Sequence, residues 1–141
     1  MVIHTIDLQV LLLERADRPG FWQSVTGSKD TPEESLDVTC RREVLEETGL
    51  DTTAFRLTDM QVTNRYEIFS HWRHRYANGV THNTEHVFAL ELPAPLPIVI
   101  APREHLDYQW LPWQEAAPRC FSWTNTQAIE EVARRRSVDA G

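Results

Sequence analysis

Three glutamates in the segment 42–50 have a spacing that could bind a metal ion. Glu43, Glu46 and Glu47 stand at positions i, i+3 and i+4, so on a helix their carboxylates would project from one side. Like charges at this spacing destabilise a bare helix. Mg²⁺ is a hard cation that takes carboxylate oxygens and keeps several waters for the phosphates of a substrate. The spacing therefore predicts a magnesium site on one face of a helix.

The helix that carries these glutamates is predicted over residues 33–48, and Gly49 ends it as a C′ residue. Its apolar stripe also contains Glu47, with Glu43 at the border of the stripe. A carboxylate at the edge of a core needs a partner, and a bound cation is the simplest one. The apolar members of the stripe are Leu36, Cys40 and Val44.

A solvated helix face is the alternative interpretation of the same residues. Acidic pairs at this spacing are ordinary, and Arg41 and Arg42 could pair with Glu46 or Glu47 along the helix. The three glutamates alone leave both interpretations open, so the residues around them must decide.

The residues around the helix resemble the Nudix box, which in family shorthand is G-x5-E-x7-R-E-U-x-E-E-x-G-U, with U an aliphatic residue. Seven residues separate Glu34 from Arg42, and the rest of the box follows in register as Arg42-Glu43-Val44, Glu46-Glu47 and Gly49-Leu50. One position departs from the pattern, because six residues and not five separate Gly27 from Glu34. Either the loop carries one extra residue or Glu33 takes the place of the loop glutamate.

The Nudix resemblance implies an α/β class fold, an α/β/α sandwich with a mixed, largely antiparallel sheet. It also implies Mg²⁺, with Mn²⁺ as a substitute, and hydrolysis of a phosphoanhydride bond. The metal would neutralise charge on the phosphoryl oxygens and orient a water whose proton a carboxylate takes. Arg42 would hold a box carboxylate in place through a bidentate contact.

Further stretches outside the box are similar to the bacterial dihydroneopterin triphosphate diphosphatases, a branch of the same superfamily. They cover nearly the whole chain and are therefore more specific than the box. The resemblance implies conversion of 7,8-dihydroneopterin triphosphate to its monophosphate with release of pyrophosphate. The stretches are Phe21 to Ser28, Glu67 to His71 with Arg73 to Tyr76, Gly79 to Thr81 with Asn83 to Glu85, and Glu104 to Leu106 with Ser122-Trp123.

Site residues carry over from this resemblance position by position. The metal ligands would be Glu43, Glu47 and Glu104, and the catalytic glutamates would be Glu43, Glu46, Glu47 and Glu104. The substrate contacts would be Arg15, Thr26, Tyr66, Glu67, Ile68, Phe69 and Ser122. Their types suit the task, because an arginine fork binds phosphate, aromatic rings stack on a flat pterin and a serine hydroxyl can bind its edge.

Several of these residues also have a purely structural interpretation. Arg15 could be a surface charge after a strand, Tyr66 and Phe69 could be core aromatics, and Glu104 could be an exposed loop glutamate paired with Arg103. The histidines show no spacing typical of a zinc site, so we assign them to packing and hydrogen bonding. They are His71, His74, His82, His86 and His105.

Composition narrows the class of protein. The net charge is −7, and the sequence contains no basic run long enough to follow a nucleic acid, so we expect a small-molecule triphosphate as the partner and no nucleic acid. No apolar run is long enough to span a membrane, and no leader is recognisable. We therefore expect a single cytoplasmic domain over residues 1–141, as a monomer or homodimer, with Cys40 and Cys120 reduced.

The elements that must position these residues follow from local patterns. Strands are predicted at 8–13, preceded by a short segment at 2–3 in the same hairpin, and at 55–62, 66–69, 86–92 and 108–111. Turns are predicted at 17–20 and at Asn78-Gly79, and a proline-rich break at 93–97. A closing helix is predicted over 124–136.

Two other functions fit the same motif. One is a cleansing hydrolase for canonical or damaged deoxynucleoside triphosphates such as dATP or 8-oxo-dGTP. The other is a Nudix domain that binds a nucleotide without turnover, which the presence of Glu43, Glu46 and Glu47 disfavours. The sequence as it stands begins within the first strand, without the segment that carries a basic substrate contact in related sequences, so we expect a weaker or differently built phosphate grip.

Overall fold

A computed structural model of the chain describes residues 1–67 and 82–140, with the backbone alone at 65–67, 82–83 and 138–140. The strands are β1 (Val2–Thr5), β2 (Gln9–Arg15), β3 (Trp22–Gln23), β4 (Arg56–Glu67), β5 (His82–Leu92) and β6 (His105–Pro112). The helices are α1 (Leu36–Thr48), α2 (Trp113–Arg119) and α3 (Trp123–Ala140), with a 3₁₀ turn at Thr52–Ala54.

The strands form one mixed sheet in the order β3-β2-β1-β5-β4, and β6 pairs with β2 outside this path. The pairing of β1 with β5 is parallel, whereas the other four pairings are antiparallel. This confirms the mixed, largely antiparallel sheet expected from the sequence. Strand β2 is hydrogen-bonded to three strands, β1, β3 and β6, which is more than any other described strand.

Alternate residues of β2 pack on opposite faces of the sheet, as the two-residue period of a strand requires. Val10 and Leu12 contact a core that includes Ala116 of α2 and Ile129 of α3. Leu11 and Leu13 contact a second core that includes Cys40 and Val44 of α1. Helices therefore cover both faces of the sheet, in agreement with the expected α/β/α sandwich. In the part of the chain that the structure describes, no helix has the length and apolar character needed to cross a bilayer.

Several boundaries differ from the sequence-based prediction. Helix α1 begins at Leu36 and not at Glu33, because Ser35 has extended backbone angles (φ −71°, ψ 154°) and Glu34 is engaged in the preceding loop. The segment 55–62 and Tyr66 were predicted in separate strands, but residues 56–62 and Tyr66 lie in the one strand β4, which has a register irregularity between Asp59 and Thr63. Phe55 precedes the strand. Helix α2 was not predicted, because it spans only seven residues and contains Pro118.

Gly49 ends α1 in the manner predicted. Its φ of 75° is in the left-handed region, and its backbone N–H donates to the carbonyl of Leu45 at 2.9 Å. A side chain here would also meet a neighbour, since an added Cβ would lie 3.2 Å from Cβ of Val99. The end of the glutamate helix is thus fixed by a backbone conformation and by a close packing contact.

We expect Gly49→Ala to lower the free energy of unfolding by about 1–2 kcal/mol or more, because alanine is strained in the left-handed region. Gly20→Ala is the matched control, since Gly20 also has a positive φ (89°) but an added Cβ there meets nothing within 4 Å. Urea unfolding of both variants measures the difference. An equal or smaller loss for Gly49→Ala would mean that the Val99 contact adds nothing.

Candidate active site

A cleft of about 290 Å³ opens where the end of β2, the residues after β3 and the start of β6 meet α1. Four of the predicted site residues line it, namely Arg15, Thr26, Glu47 and Glu104. Sequence reasoning had not assigned the other four to a site. They are Asp17, Gln23, Arg103 and His105.

Glu47 is the most buried carboxylate of the cleft. Its residue is 5% exposed, and its Oε2 atom is buried without a hydrogen-bond partner among the described residues. Burial raises the pKa of Glu47 to about 9, and contact with Glu104 and the charge of Glu43 act in the same direction. Without a cation nearby, this carboxyl group is therefore protonated at neutral pH.

Glu104 reaches Glu47 from a separate part of the chain. Ligand atoms of Glu47, Glu104 and His105 all lie within 4.8 Å of one another. A tight turn before β6 places Glu104 and His105, whose backbone N–H groups both donate to the carbonyl of Ala101 at 2.9 Å. The turn is tied to the end of β2, because the backbone N–H of Ala16 donates to the carbonyl of Glu104 at 2.9 Å.

An irregularity in the β2–β6 ladder brings Arg15 to the same place. The register shifts between Glu14, which pairs with Asp107, and Arg15, which pairs with His105. A bulge of this kind changes the direction of side chains locally, and such bulges are common beside active sites. The shift places Arg15 opposite the first residue of β6, next to the cluster of Glu47, Glu104 and His105.

His105 had been assigned to packing, but it lies in this cluster. It is 3% exposed, and its Nδ1 atom is buried without a partner among the described residues. Burial lowers the pKa of His105, while the charge of Glu104 opposes that effect. The lowered pKa favours the neutral imidazole, which can offer a nitrogen lone pair. Its place directly after Glu104 was the only sequence signal for this role.

Arg42 joins the carboxylates of the box. Its Nη2 donates to Glu34 Oε1 and to the carbonyl of Ser28, both at 2.9 Å, and its Nη1 donates to Glu43 Oε1 at 2.7 Å. The guanidinium also lies 3.2 Å from Asp30 and 3.6 Å from Glu46. Arg42 thus contacts loop and helix carboxylates, but it does so through single hydrogen bonds to Glu34 and Glu43 and not through the predicted bidentate contact with one carboxylate. It does not line the cleft.

The extra loop residue is accommodated before Glu34. The Arg42 contact lowers the pKa of Glu34 to about 2, helped by a hydrogen bond from Thr39 Oγ1 at 2.5 Å. Glu33 is exposed. The structure therefore favours Glu34 as the loop glutamate, with one additional residue between it and Gly27.

Gly27 is packed directly against Glu43. A Cβ built on Gly27 would lie 2.1 Å from Cγ of Glu43. Any residue with a side chain would overlap Glu43 here, so the position requires glycine. Burial raises the pKa of Glu43, and the Arg42 guanidinium opposes this. Glu43, which the family resemblance predicts as a metal ligand, is not in the 4.8 Å group; its carboxylate accepts a hydrogen bond from Arg42, and its role as a ligand stays a prediction.

Arg15 has a fixed position in the cleft. Its Nε and Nη2 donate to the two carboxylate oxygens of Asp17, both at 2.7 Å, and its Nη1 donates to Gln23 Oε1 at 3.3 Å. Gln23 in turn donates to Thr26 Oγ1 at 3.4 Å. The ring of Phe121 lies 5.8 Å from the guanidinium carbon, within the range of a cation–π contact.

Asn125 anchors the segment that leads into Thr26 and was not found from the sequence. The backbone N–H of Ser24 donates to Asn125 Oδ1 at 2.8 Å, and Asn125 Nδ2 donates to Ser24 Oγ at 2.9 Å. These residues are 101 positions apart. A pairing so distant leaves no local pattern, so only the fold reveals it.

The remaining predicted site residues are not in the cleft or are not described. Ser122 does not line the cleft, and its hydroxyl lies 2.7 Å from that of Thr124. Glu46 has a side chain that is 57% exposed. The other predicted contacts fall at or beyond the end of β4. Ile68 and Phe69 lie outside the described residues, as do the side chains of Tyr66 and Glu67.

The cluster fits a divalent cation. Glu47 Oε2 and His105 Nδ1 are buried polar atoms without partners in the described part of the chain, and leaving such atoms unpaired costs free energy. Two carboxylates and a neutral imidazole form a donor set that divalent cations accept. Glu47, Glu104 and His105 are therefore the residues that could hold a metal ion.

We expect Glu47→Gln to remove a pH dependence of stability in the metal-free protein. The folded-state pKa of about 9 exceeds the ordinary value of 4.5, so the folded state binds more protons between these values. Stability of the wild type therefore falls as pH rises from about 5 to about 9, and the neutral amide lacks this loss.

Melting temperatures in EDTA across that pH range test this expectation. Glu46→Gln is the control, because it makes the same Glu-to-Gln change at an exposed side chain of the same helix. The melting difference between Glu47→Gln and the wild type should grow with pH, and that of Glu46→Gln should stay flat. Parallel curves for all three proteins would contradict the burial of the Glu47 carboxylate.

Comparison with known proteins finds relatives that align with most of the chain. A dihydroneopterin triphosphate diphosphatase from Escherichia coli K12 is 50% identical over 134 residues, which cover 93% of this chain and 87% of that protein. The enzyme of the same name from Haemophilus influenzae is 38% identical, with coverage of 93% and 83%. The solved structure of the E. coli dihydroneopterin triphosphate pyrophosphohydrolase superposes with a TM-score of 0.85 over 92% of this chain and 89% of that one. The NUDIX domain model matches residues 1–132, and the chain therefore belongs to the Nudix family.

Proposed function

We propose that this protein is a Mg²⁺-dependent pyrophosphohydrolase that converts 7,8-dihydroneopterin triphosphate to dihydroneopterin monophosphate and pyrophosphate. The observation that carries the proposal is the meeting of Glu47 and Glu104, from separate parts of the chain, in a cleft that Arg15 and Thr26 also line. The E. coli and H. influenzae relatives bear the name of this activity and align with 93% of the chain.

The reaction consumes one water and breaks the bond that joins the α- and β-phosphates. The water oxygen forms a new bond to phosphorus, the bridging oxygen leaves with its electron pair, and the water proton passes to a base. When bound, a divalent cation supplies charge neutralisation on the phosphoryl oxygens and lowers the pKa of water. Glu104 is exposed at the mouth of the cluster, so its carboxylate can accept that proton and release it to solvent.

The cleft residues divide between holding the cation and holding the substrate. Glu47 and Glu104 provide carboxylate oxygens, and Arg42 keeps Glu43 and Glu34 in place behind them. Arg15 is oriented by Asp17 and Gln23, so little side-chain entropy is lost when it contacts a phosphate.

The heterocycle is assigned to residues beyond the metal cluster. We propose that Tyr66 and Phe69 stack on the flat pterin, that Glu67 and Ile68 contact its edge, and that Ser122 donates a hydrogen bond. Support for Ser122 comes from its neighbour Phe121, whose ring lies 5.8 Å from the Arg15 guanidinium.

A substrate panel tests the proposed activity. Wild-type protein with Mg²⁺ is assayed for phosphate release, with added pyrophosphatase, on 7,8-dihydroneopterin triphosphate, dATP and 8-oxo-dGTP. We expect kcat/KM for the pterin substrate to exceed the others by about tenfold or more, because a site that hydrogen-bonds one heterocycle leaves polar groups unpaired with another. The opposite order would identify a cleansing nucleotide hydrolase, and no turnover on any substrate would indicate a binding domain.

We expect Glu104→Gln to reduce kcat/KM by about a hundredfold, equivalent to about 3 kcal/mol of transition-state stabilisation, without lowering the melting temperature. The amide keeps the volume of the side chain but loses the charge and the proton-accepting oxygen. Glu130→Gln is the control, because Glu130 is exposed on α3 and does not line the cleft. Activity of Glu104→Gln within a few-fold of the wild type would return Glu104 to the role of a surface charge.

A further inference from the structure

The two arginines that line the cleft differ in how far their charges are paired with carboxylates. The described residues that line it include three acids, Asp17, Glu47 and Glu104, and two arginines, Arg15 and Arg103. A triphosphate entering this cleft brings several negative charges towards carboxylates that repel it. Bound cations offset part of that repulsion, and the arginines must supply the rest.

All three guanidinium nitrogens of Arg15 already donate hydrogen bonds within the protein. Both carboxylate oxygens of Asp17 accept from it at 2.7 Å, and Gln23 accepts from the remaining terminal nitrogen. The hydrogen bond to Asp17 also raises the pKa of Arg15, which is the signature of a charge that is paired in the folded protein. Arg15 therefore has a fixed direction but a largely compensated charge.

Arg103 presents the opposite situation. It is exposed, and its guanidinium has no carboxylate partner among the side chains that the structure describes, which are those of residues 1–64 and 84–137. It still lines the cleft, because it belongs to the same tight turn as Glu104. The hydrogen bonds from Glu104 and His105 to Ala101 fix the backbone on both sides of the arginine side chain.

We propose that Arg103 binds the phosphate chain of the substrate and is a specificity residue for polyphosphates. Its fork of N–H groups matches two phosphate oxygens, and it has no ion pair with a described side chain to break before it binds. Because Arg103 precedes Glu104 directly, one turn presents a phosphate-binding cation beside a carboxylate of the metal cluster. This inference rests on the proposed function in one respect only, namely that the ligand contains a chain of phosphates.

The consequence is a division of labour between the two arginines. Arg15 is held in place and orients a phosphate group, whereas Arg103 adds uncompensated positive charge. Loss of Arg103 should therefore weaken binding of ligands with several phosphates more than binding of a monophosphate. The effect should fall mainly on KM, because the charge of the phosphate chain is present both before and during the reaction.

The test compares Arg103→Ala and Arg103→Lys with Arg56→Ala. Arg56 is exposed at the start of β4, the edge strand that β1 and β5 separate from β2, so its replacement changes net charge equally but away from the cleft. Dissociation constants for inorganic tripolyphosphate and for inorganic phosphate are measured by calorimetry with Mg²⁺ present, and KM and kcat are measured on the triphosphate that the wild type hydrolyses best.

For Arg103→Ala we expect about a tenfold rise in KM and in the tripolyphosphate dissociation constant, kcat within about threefold, and a smaller change for phosphate. Arg103→Lys should lie between this variant and the wild type, because it keeps the charge but loses the fork. Arg56→Ala should match the wild type.

The proposal is overturned if Arg103→Ala binds tripolyphosphate within twofold of the wild type, or if only kcat falls. The calorimetric result stands apart from the proposed activity, because tripolyphosphate binding does not depend on the heterocycle. A wild type that fails to hydrolyse dihydroneopterin triphosphate but loses tripolyphosphate affinity on Arg103→Ala would refute the activity and support the role of Arg103.

Discussion

Glu47 places a carboxyl group at the edge of a hydrophobic core, and the surrounding structure is arranged around the cost of that placement. Burial disfavours the charged form, and the neighbouring carboxylates disfavour it further. The only stable arrangements are a protonated acid or a carboxylate bound to a cation. A carboxylate buried in this way is poorly solvated and is stabilised by a bound cation. A metal-dependent hydrolase needs such a cation-binding group.

Arg42 and Gly27 both contact Glu43, and neither pairs with Glu47. Arg42 is the only cation in hydrogen-bond contact with Glu43 in the described part of the chain. It also donates to Glu34 and to the Ser28 carbonyl, so its charge is paired with groups outside the cleft. Gly27 allows the loop to lie against Glu43, where any side chain would overlap it. Glu47 is thereby left to face the cleft with Glu104 and His105 instead of pairing with an arginine of its own helix.

Local periodicity was enough to predict the glutamate helix, its Gly49 end and the burial of Glu47, because all three depend on residues within one helix. The position of Glu104 was predicted from family resemblance, and nothing in its own neighbourhood required it. His105 and Asn125 were missed for a physical reason, since a turn brings His105 next to Glu47 of a distant helix and the partner of Asn125 lies 101 residues away. The start of α1 was placed three residues early, because Glu34 looks helical in sequence but is bound to Arg42 in the loop.

The hydrogen bonds between Ser24 and Asn125 affect the order in which contacts form as the chain is synthesised and folds. During synthesis, β2, β3 and α1 emerge long before α3, so the backbone of Ser24 has no amide to bind until the last quarter of the chain is available. Contacts of such long sequence separation form late, since closing the chain between them costs entropy that earlier contacts do not recover. The loop that faces the cleft therefore reaches its final geometry only when α3 docks, and an unfinished chain carries the carboxylates without an assembled site around them.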